Sequence, residues 1–391
     1  MKGESQKGEE KRVAIIGPVY PYRGGIAQYT DFLCRALEAE SDILLISYSR
    51  QYPNFLFPGE SDKEPTSQTN KQQSDLAVQP NYWIDSINPL TWFYTLYQLN
   101  QYQPDVVILQ WWTSFFAPLC GLVGVWNWTR NLFATKKITP KKNTLVILCH
   151  NVLPHETRWW DPLVATCAIG LGHRYLVQSE SERIRLHSFL PNAHSVVVPH
   201  PEYDTLADLR LPRAEARATL DIPDDVYVLL FFGIVRQYKG LKDLLHALSH
   251  LRDMQGVQPF CLLIAGEFWD EKQPYLDIIE THTLGDLVVI DDRYIPKERV
   301  ALYFSAADLL VAPYLYETGS AVLGMANGFG LRAVSSADIA QSQDSRPQAI
   351  AHAIQRAMQA QADTEATLQD EQMSWEYIKQ TWEPTIQAIL G

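Results

Sequence analysis

Cysteine, a basic surplus and a long apolar run are what this chain of 391 residues has least of. The five cysteines, Cys34, Cys120, Cys149, Cys167 and Cys261, are odd in number and form no C-x-x-C pair. That pattern disfavours a disulfide framework and a zinc site and reads as reduced, buried thiols in a cytoplasmic protein. Against 33 Lys+Arg stand 45 Asp+Glu, a net charge of −12, so no nucleic-acid partner is expected, since binding phosphates needs a basic face. The opening MKGESQKGEEKR lacks the apolar stretch of a secretory signal. The most apolar segment, residues 115–133, is interrupted by Pro118, Asn127, Thr129, Arg130 and Asn131 and falls short of the roughly 20 residues of a membrane span. No G-x-x-x-x-G-K-[ST] occurs, which removes the P-loop enzymes, and the lack of a G-x-G-x-x-G match weakens a dehydrogenase reading. No Ser/His/Asp set or close carboxylate pair stands at a spacing that suggests a protein nucleophile or a glycosidase.

What is present is an ordinary globular composition, 46% hydrophobic and 20% charged, on a chain long enough for two domains. From Arg12 onward short apolar runs alternate with amphipathic ones, the pattern of βαβ units and a parallel sheet. Strands are expected at residues 13–16, 43–46, 106–109, 145–148, 175–177 and 196–198. Phe32, Leu33 and Leu37 mark a first helix by their spacing. Asn88-Pro89 opens another through about Tyr102, and Ser179 with Glu182 makes a capping-box start. The polar segment between Pro58 and Pro80 is expected to be a long loop. PHPEYD (199–204) marks a boundary, beyond which strands at 226–232, 262–265, 287–290, 309–312 and 333–334 alternate with helices at 241–251, 275–279, 297–304 and 320–327. Two further helices are expected at about 347–361 and 374–390.

The fold class is therefore α/β, two tandem Rossmann-like doubly wound domains spanning 1–200 and 201–373. The last helix, about 374–391, is expected to pack back on the first domain through Trp375, Ile378, Trp382, Ile386 and Ile389, with Pro384 interrupting the stripe. In open α/β sheets ligands bind at the carboxyl ends of strands, so the cleft between the domains is the expected site. Arg23-Gly24-Gly25 stands at such a junction, where paired glycines let backbone approach an anion at a helix N-terminus; a plain turn explains them equally well. Arg236 and Lys239, flanked by Gly233 and Gly240, suit a diphosphate with two charges to neutralise. The alternative is an exposed basic loop. At the next junction Gly319, Ser320 and Ala321 would turn backbone N–H groups toward an anion, while Glu317 either accepts from sugar hydroxyls or merely starts a helix. Asp291-Asp292 reads as a loop after a strand.

The ordered series RGGIAQYT, CHNVLPHE, VPHP, FFGIVRQYKGLKDLL, LLIAGEFW and YFSAADLLVAPYLYETGSAVLGMANGFG resembles the retaining nucleotide-sugar glycosyltransferases of family 4, which have the two-Rossmann GT-B architecture. The resemblance runs from about residue 11 to 336. It implies that Arg236 and Lys239 bind the donor diphosphate and stabilise the leaving group, with Gly24 and Gly25 beside it. It implies that His150 contacts the donor sugar, with His155 and Glu156 near an acceptor hydroxyl, and that Glu317 is the first glutamate of an E-x7-E element. Two departures follow. Met325 replaces the second glutamate, so ribose recognition differs, and the stretch after Gly330 lacks the usual glycine-rich loop and extra βα unit, leaving the second domain thin.

The implied activity is transfer of a hexose from a nucleotide-diphosphate sugar to a glycan or lipid-linked acceptor. Attack is implied on the front face of the anomeric carbon, with no metal or other cofactor required. A catalytically weakened relative that binds a nucleotide sugar or a partner is the second reading, and an epimerase or phosphorylase on the same architecture the third. Finally, Phe115, Phe116, Trp126, Trp128 and Phe133 followed by Lys136, Lys137, Lys141 and Lys142 suit an anionic membrane surface met peripherally by the first domain. The competing reading is a helix buried on the sheet with a solvated lysine loop after it.

Overall fold

The computed structural model describes residues 11–53, 57, 59, 61–64, 78–135, 142–154, 158–198, 209–315, 321–362, 385–387 and 389–390. The chain divides into two compact units, Met1–Pro199 with Glu376–Gly391, and His200–Trp375.

The first unit is built on a parallel seven-stranded sheet in the order β3-β2-β1-β4-β5-β6-β7. Its strands are β1 (Lys11–Ile16), β2 (Ser41–Arg50), β3 (Asn81–Asp85), β4 (Val106–Trp111), β5 (Thr144–Cys149), β6 (Arg174–Val177) and β7 (Ser195–Val197). β4 is buried at every position, β5 at all but its first and β1 over Val13–Ile16, the continuous apolar pattern of strands covered on both faces. Helix α1 (Gly25–Leu37) joins β1 to β2, whereas α2 (Pro89–Tyr102), α3 (Ala117–Thr135), α4 (Asp161–Ile169) and α5 (Glu180–His187) connect strands that progress the other way. Right-handed crossovers therefore place α1 on one face and the other four side by side on the opposite face. The direction reverses between β1 and β4, so the carboxyl ends of these two strands form the switch point where ligands bind in such sheets.

Asn88 caps α2 by accepting from the Leu90 N–H at 3.2 Å, and Ser179 caps α5 by accepting from Glu182 N–H at 3.2 Å. β3 and α4 were not expected from sequence. β3 is a five-residue edge strand of mixed burial directly after a polar segment, and it carries too short a pattern to stand out. The segment expected to be either interfacial or buried divides: Trp111, Trp112 and Phe116 lie in the core, while Trp128 and Phe133 are exposed. Cys167 is exposed rather than buried, and the other four thiols are buried. At the end of the chain, residues 385–387 and 389–390 are helical, with Ile386 and Ile389 buried, and Lys11 Nζ donates to the Leu390 carbonyl. Trp375, Ile378 and Trp382 of the same stripe lie outside the described residues.

The second unit has a parallel five-stranded sheet, β10-β9-β8-β11-β12, made by β8 (Tyr227–Phe232), β9 (Phe260–Ala265), β10 (Val288–Asp291), β11 (Leu309–Ala312) and β12 (Ala333–Ser335). Its helices are α6 (Arg213–Thr219), α7 (Leu241–Arg252), α8 (Gln273–Thr281), α9 (Lys297–Ala306), α10 (Ala321–Gly328), α11 (Ser336–Ile339) and α12 (Arg346–Ala362). α6, also unexpected, exists to carry one group. Arg217, fully buried, pairs with Asp308 at 2.6 Å and donates to the carbonyls of Ala306, Asp224 and Val226. Asp308 also accepts from the Val228 N–H at 2.7 Å. This cross-link ties α6 to the start of β8 and to the α9–β11 turn, and each buried charge is paired and hydrogen-bonded as its burial demands.

Candidate functional site

In the first unit the chain leaves β1 through Gly17 and reaches α1 at Gly24, whose φ of +102° is accessible mainly to glycine. A Cβ built there would meet nothing within 4 Å, so the opening of α1 faces free space. The loop before it is held by Arg23 N–H to Asp62 O at 3.0 Å and by the Arg23 guanidinium 5.1 Å from the Phe57 ring. Beside it a cavity of about 480 Å³ is lined by Tyr20, Tyr22, Tyr48, Tyr82 and Lys63, which falls within the size range of small-molecule sites.

His150 follows β5 and is buried. The Gln178 amide donates to its Nδ1 at 3.0 Å, so Nε2 carries a proton and donates to Gln110 Oε1 at 2.9 Å. Gln110 Nε2 donates to Thr30 Oγ at 2.8 Å, and Thr30 donates to the Ile26 carbonyl in the first turn of α1. The Tyr29 ring stands edge-on at 5.0 Å. Gly17 makes room for this chain, because a Cβ there would fall 2.3 Å from the Gln110 amide. Both ring nitrogens of His150 are thus engaged by side chains of the first unit. His155 and Glu156 lie outside the described residues.

The second unit assembles its cations where β8 ends. Gly233 has φ +90°, and its N–H donates to Ala265 O at 2.9 Å. Val235 N–H donates to Glu267 O at 2.9 Å and Trp269 N–H to Val235 O at 3.1 Å, zipping the loop after β8 to the loop after β9. This close approach needs Gly266, since a Cβ there would stand 2.2 Å from Gly233 O. The zip brings the Trp269 ring to 5.9 Å from the Arg236 guanidinium.

One 3-10 turn later, Lys239 is 7% exposed. Its Nζ lies 3.5 Å from Phe232 O and 5.6 Å from the Tyr314 ring centroid. A Cβ on Gly233 would stand 2.9 Å from that Nζ and 3.8 Å from Val322 in the first turn of α10. Burial, reinforced by the positive charge of Arg236, depresses the Lys239 ammonium to about 8. Among the described residues no carboxylate pairs with it. Gly240 closes the turn at φ +73°, where a Cβ would fall 2.0 Å from Pro313 O, and Leu315 N–H donates to Tyr238 O at 2.7 Å. The loops after β8, β9 and β11 are thereby locked around a desolvated cation that has an aromatic face and a carbonyl for company. Such a cation is stabilised by an incoming anion.

Ala321 begins α10, directly beside Val322, whereas Glu317, Gly319 and Ser320 lie outside the described residues. Met325 is buried, so no polar side chain is presented at that position. Asp291 is engaged by Arg293 at 2.6 Å and by the Tyr303 hydroxyl, and Asp292 by Lys272 at 2.8 Å. Both serve the loop after β10. Among the described residues no group of three or more His, Cys, Asp or Glu could hold a metal ion. The sequence singled out Arg236 and Lys239 but not Trp269 and Tyr314, the aromatic rings beside them, although both stand in the motifs LLIAGEFW and YFSAADLLVAPYLYETGSAVLGMANGFG. It also missed Gln110 and Gln178, which bear no motif at all.

Residues 212–342, inside the second unit, match the family model for Glycosyl transferases group 1. No curated protein matches the sequence. Solved structures similar to the whole chain include a sucrose-phosphate synthase from Thermosynechococcus elongatus, 19% identical, covering 97% of this chain and 94% of that one with a TM-score of 0.57. HepE from Anabaena in complex with UDP is 13% identical over 97% and 95% of the two chains, with a TM-score of 0.62. A glycosyltransferase from Rickettsia africae is 14% identical over 97% and 93%, with a TM-score of 0.60. The fold is that of the GT-B proteins, two Rossmann-like units with parallel sheets.

Proposed function

We propose that this chain, which carries a group 1 glycosyl transferase domain at residues 212–342, is a retaining glycosyltransferase of the family 4 kind. It moves a hexose from a nucleoside-diphosphate sugar to a glycan or lipid-linked acceptor. The observation that carries the reading is Lys239, buried without a carboxylate partner among the described residues and beside Arg236 at the carboxyl end of β8. Two cations so placed suit the donor diphosphate, and the cost of desolvating Lys239 is recovered when the anion arrives. As the bond from the anomeric carbon to the phosphate oxygen breaks, the negative charge that develops on the departing diphosphate is met by both cations. The N-terminus of α10, with Gly319, Ser320 and Ala321, adds backbone donors to the same anion. Glu317 accepts hydrogen bonds from the donor sugar.

The acceptor oxygen attacks from the face the diphosphate is leaving. Its proton passes to the departing phosphate oxygen, so the new glycosidic bond keeps the anomeric configuration without a protein nucleophile. In the first unit the tyrosine-lined cavity offers flat faces suited to an acceptor sugar ring. His150 then serves by bracing Gln110 and the first turn of α1 beside Gly24 and Gly25, its ring nitrogens being engaged already. Met325 supports one second reading, a relative that binds a nucleotide sugar and turns it over weakly, because the buried thioether leaves the donor ribose without a carboxylate at that position.

Release of nucleoside diphosphate from a panel of nucleoside-diphosphate hexoses, with candidate glycan acceptors, separates the two readings. Proton NMR of the product then reads the anomeric coupling. Acceptor-dependent turnover with retained configuration is expected. Inversion removes the front-face mechanism, and saturable binding without turnover selects the second reading.

A further inference from the structure

The α10 side of the cation site is apolar in its side chains. Residues 321–325 read Ala-Val-Leu-Gly-Met, with no hydrogen-bonding side chain among them. Val322 is the residue that closes on Gly233, 3.8 Å from a Cβ built there, and Met325, one turn on, is buried. The ribose of a nucleotide carries two vicinal hydroxyls, and enclosing them without an acceptor costs free energy. With position 325 apolar, the acceptor has to come from another loop.

The loop after β9 brings a carboxylate to the cations. Glu267 takes part in the backbone zip: its carbonyl accepts from the Val235 N–H at 2.9 Å, one residue before Arg236. Its side chain is half-buried, and its Oε2 accepts from the Trp269 indole N–H at 3.0 Å. The carboxylate is thereby fixed to the ring that stands 5.9 Å from the Arg236 guanidinium. The neighbouring acids are spent within their own loops. Asp270 accepts from the Tyr275 hydroxyl at 3.0 Å, Asp292 from the Phe268 N–H at 3.0 Å, and Asp291 is held by Arg293 at 2.6 Å. A carboxylate beside a diphosphate site weakens binding by like-charge repulsion, unless it accepts hydrogen bonds from the same ligand. It has the capacity, since two ionised oxygens offer about four lone-pair positions and one indole occupies a single one. Hydroxyl donors to a charged acceptor make the stronger class of hydrogen bond.

We propose that Glu267 accepts hydrogen bonds from the ribose hydroxyls of the donor nucleotide, a role that a glutamate at position 325 would have filled from α10. Trp269 orients the carboxylate through its indole N–H. The proposal rests on the transferase reading for its ligand and sets one element of specificity, ribose over sugars lacking the vicinal hydroxyls.

Isothermal titration calorimetry of UDP, ADP and GDP, each beside its 2′,3′-dideoxy analogue, into the wild-type chain and Glu267→Gln tests it. Glutamine still accepts from the indole through its amide oxygen, and circular dichroism monitors the fold. The wild type is expected to bind a ribose diphosphate about tenfold or more tighter than its dideoxy analogue. In Glu267→Gln that gap should close, by weaker binding of the ribose form with the dideoxy form unchanged or tighter. Equal loss for both forms overturns the proposal, because Glu267 would then act only by holding Trp269 beside Arg236. So does a gap that persists in the variant, or tighter binding of the ribose form, the sign expected from relief of repulsion alone. Binding of both forms without a gap in the wild type also overturns it and leaves the transferase reading standing. Absence of binding by all three diphosphates removes both.

Discussion

Replacing Lys239 by methionine should make the second unit more stable and its anion site worse. The ammonium sits at about 8 rather than at its ordinary 10.5, chiefly through burial and secondarily through Arg236. A lowered pKa of this size means that holding the charge in the folded state costs about 3 kcal/mol relative to the unfolded chain at neutral pH. The cost is present in full below pH 8, shrinks as pH rises from 8 to 10.5, and is gone above 10.5, where the lysine is neutral in both states. Methionine fills nearly the same volume without the charge. Lys239→Met is therefore expected to stabilise the unliganded unit by about 2–3 kcal/mol at pH 7, or several degrees in thermal melting, and by less at pH 10.

The same substitution removes a charge-assisted contact to a diphosphate, worth about 1.5–3 kcal/mol, and should weaken nucleoside diphosphate binding roughly 10- to 100-fold. In the unmodified protein that affinity should be level from pH 7 to 8 and then fall about tenfold per pH unit as the ammonium deprotonates. Differential scanning fluorimetry of both proteins, with and without UDP across pH 7–10, checks all three statements. A variant that melts lower than wild type, or that keeps the full UDP-induced shift, would refute the reasoning, since Lys239 would then be neither strained nor aimed at an anion.

Gly240→Ala places a methyl group 2.0 Å from the Pro313 carbonyl at a φ of +73°, so both loops must part; a loss of about 2–4 kcal/mol in urea unfolding, with nucleotide binding abolished, is expected. Gly24→Ala, where nothing lies within 4 Å, is strained only by its backbone, φ +102° and ψ 170°, a region that glycine alone readily adopts, and should cost about 1–3 kcal/mol. Asp308→Asn leaves the buried Arg217 charge unpaired and should cost about 3–5 kcal/mol, read as poor refolding of the second unit. Gly17→Ala should displace the Gln110 amide, and the His150 ring proton held by Gln110 should then exchange faster with solvent by NMR.

The alternation of strand and helix was legible because buried parallel strands are runs of one polarity and because glycine marks junctions that need positive φ, as at Gly24, Gly233 and Gly240. Arg236 and Lys239 were singled out for the same reason, both lying within a few residues of such a glycine. The groups that define their surroundings were not. Trp269 and Tyr314 arrive from the loops after β9 and β11, brought in by sheet order rather than by local spacing. His150 was singled out as a donor-sugar contact, yet its partners Gln110 and Gln178 stand 40 and 28 residues away and converge only once β4, β5 and β6 are paired in register. The exposed aromatic face of α3 was half legible: composition distinguished the segment, but only packing decided that Phe116 turns inward and Trp128 outward.

The grip proposed for Arg236 and Lys239 on a donor diphosphate is read by isothermal titration calorimetry of UDP into the wild-type protein and R236A/K239A at pH 7.5, with circular dichroism as the control for folding. Saturable one-site binding is expected in the wild type, with a loss on the order of 100-fold or more in the folded double variant. Equal affinity in the two proteins would contradict it.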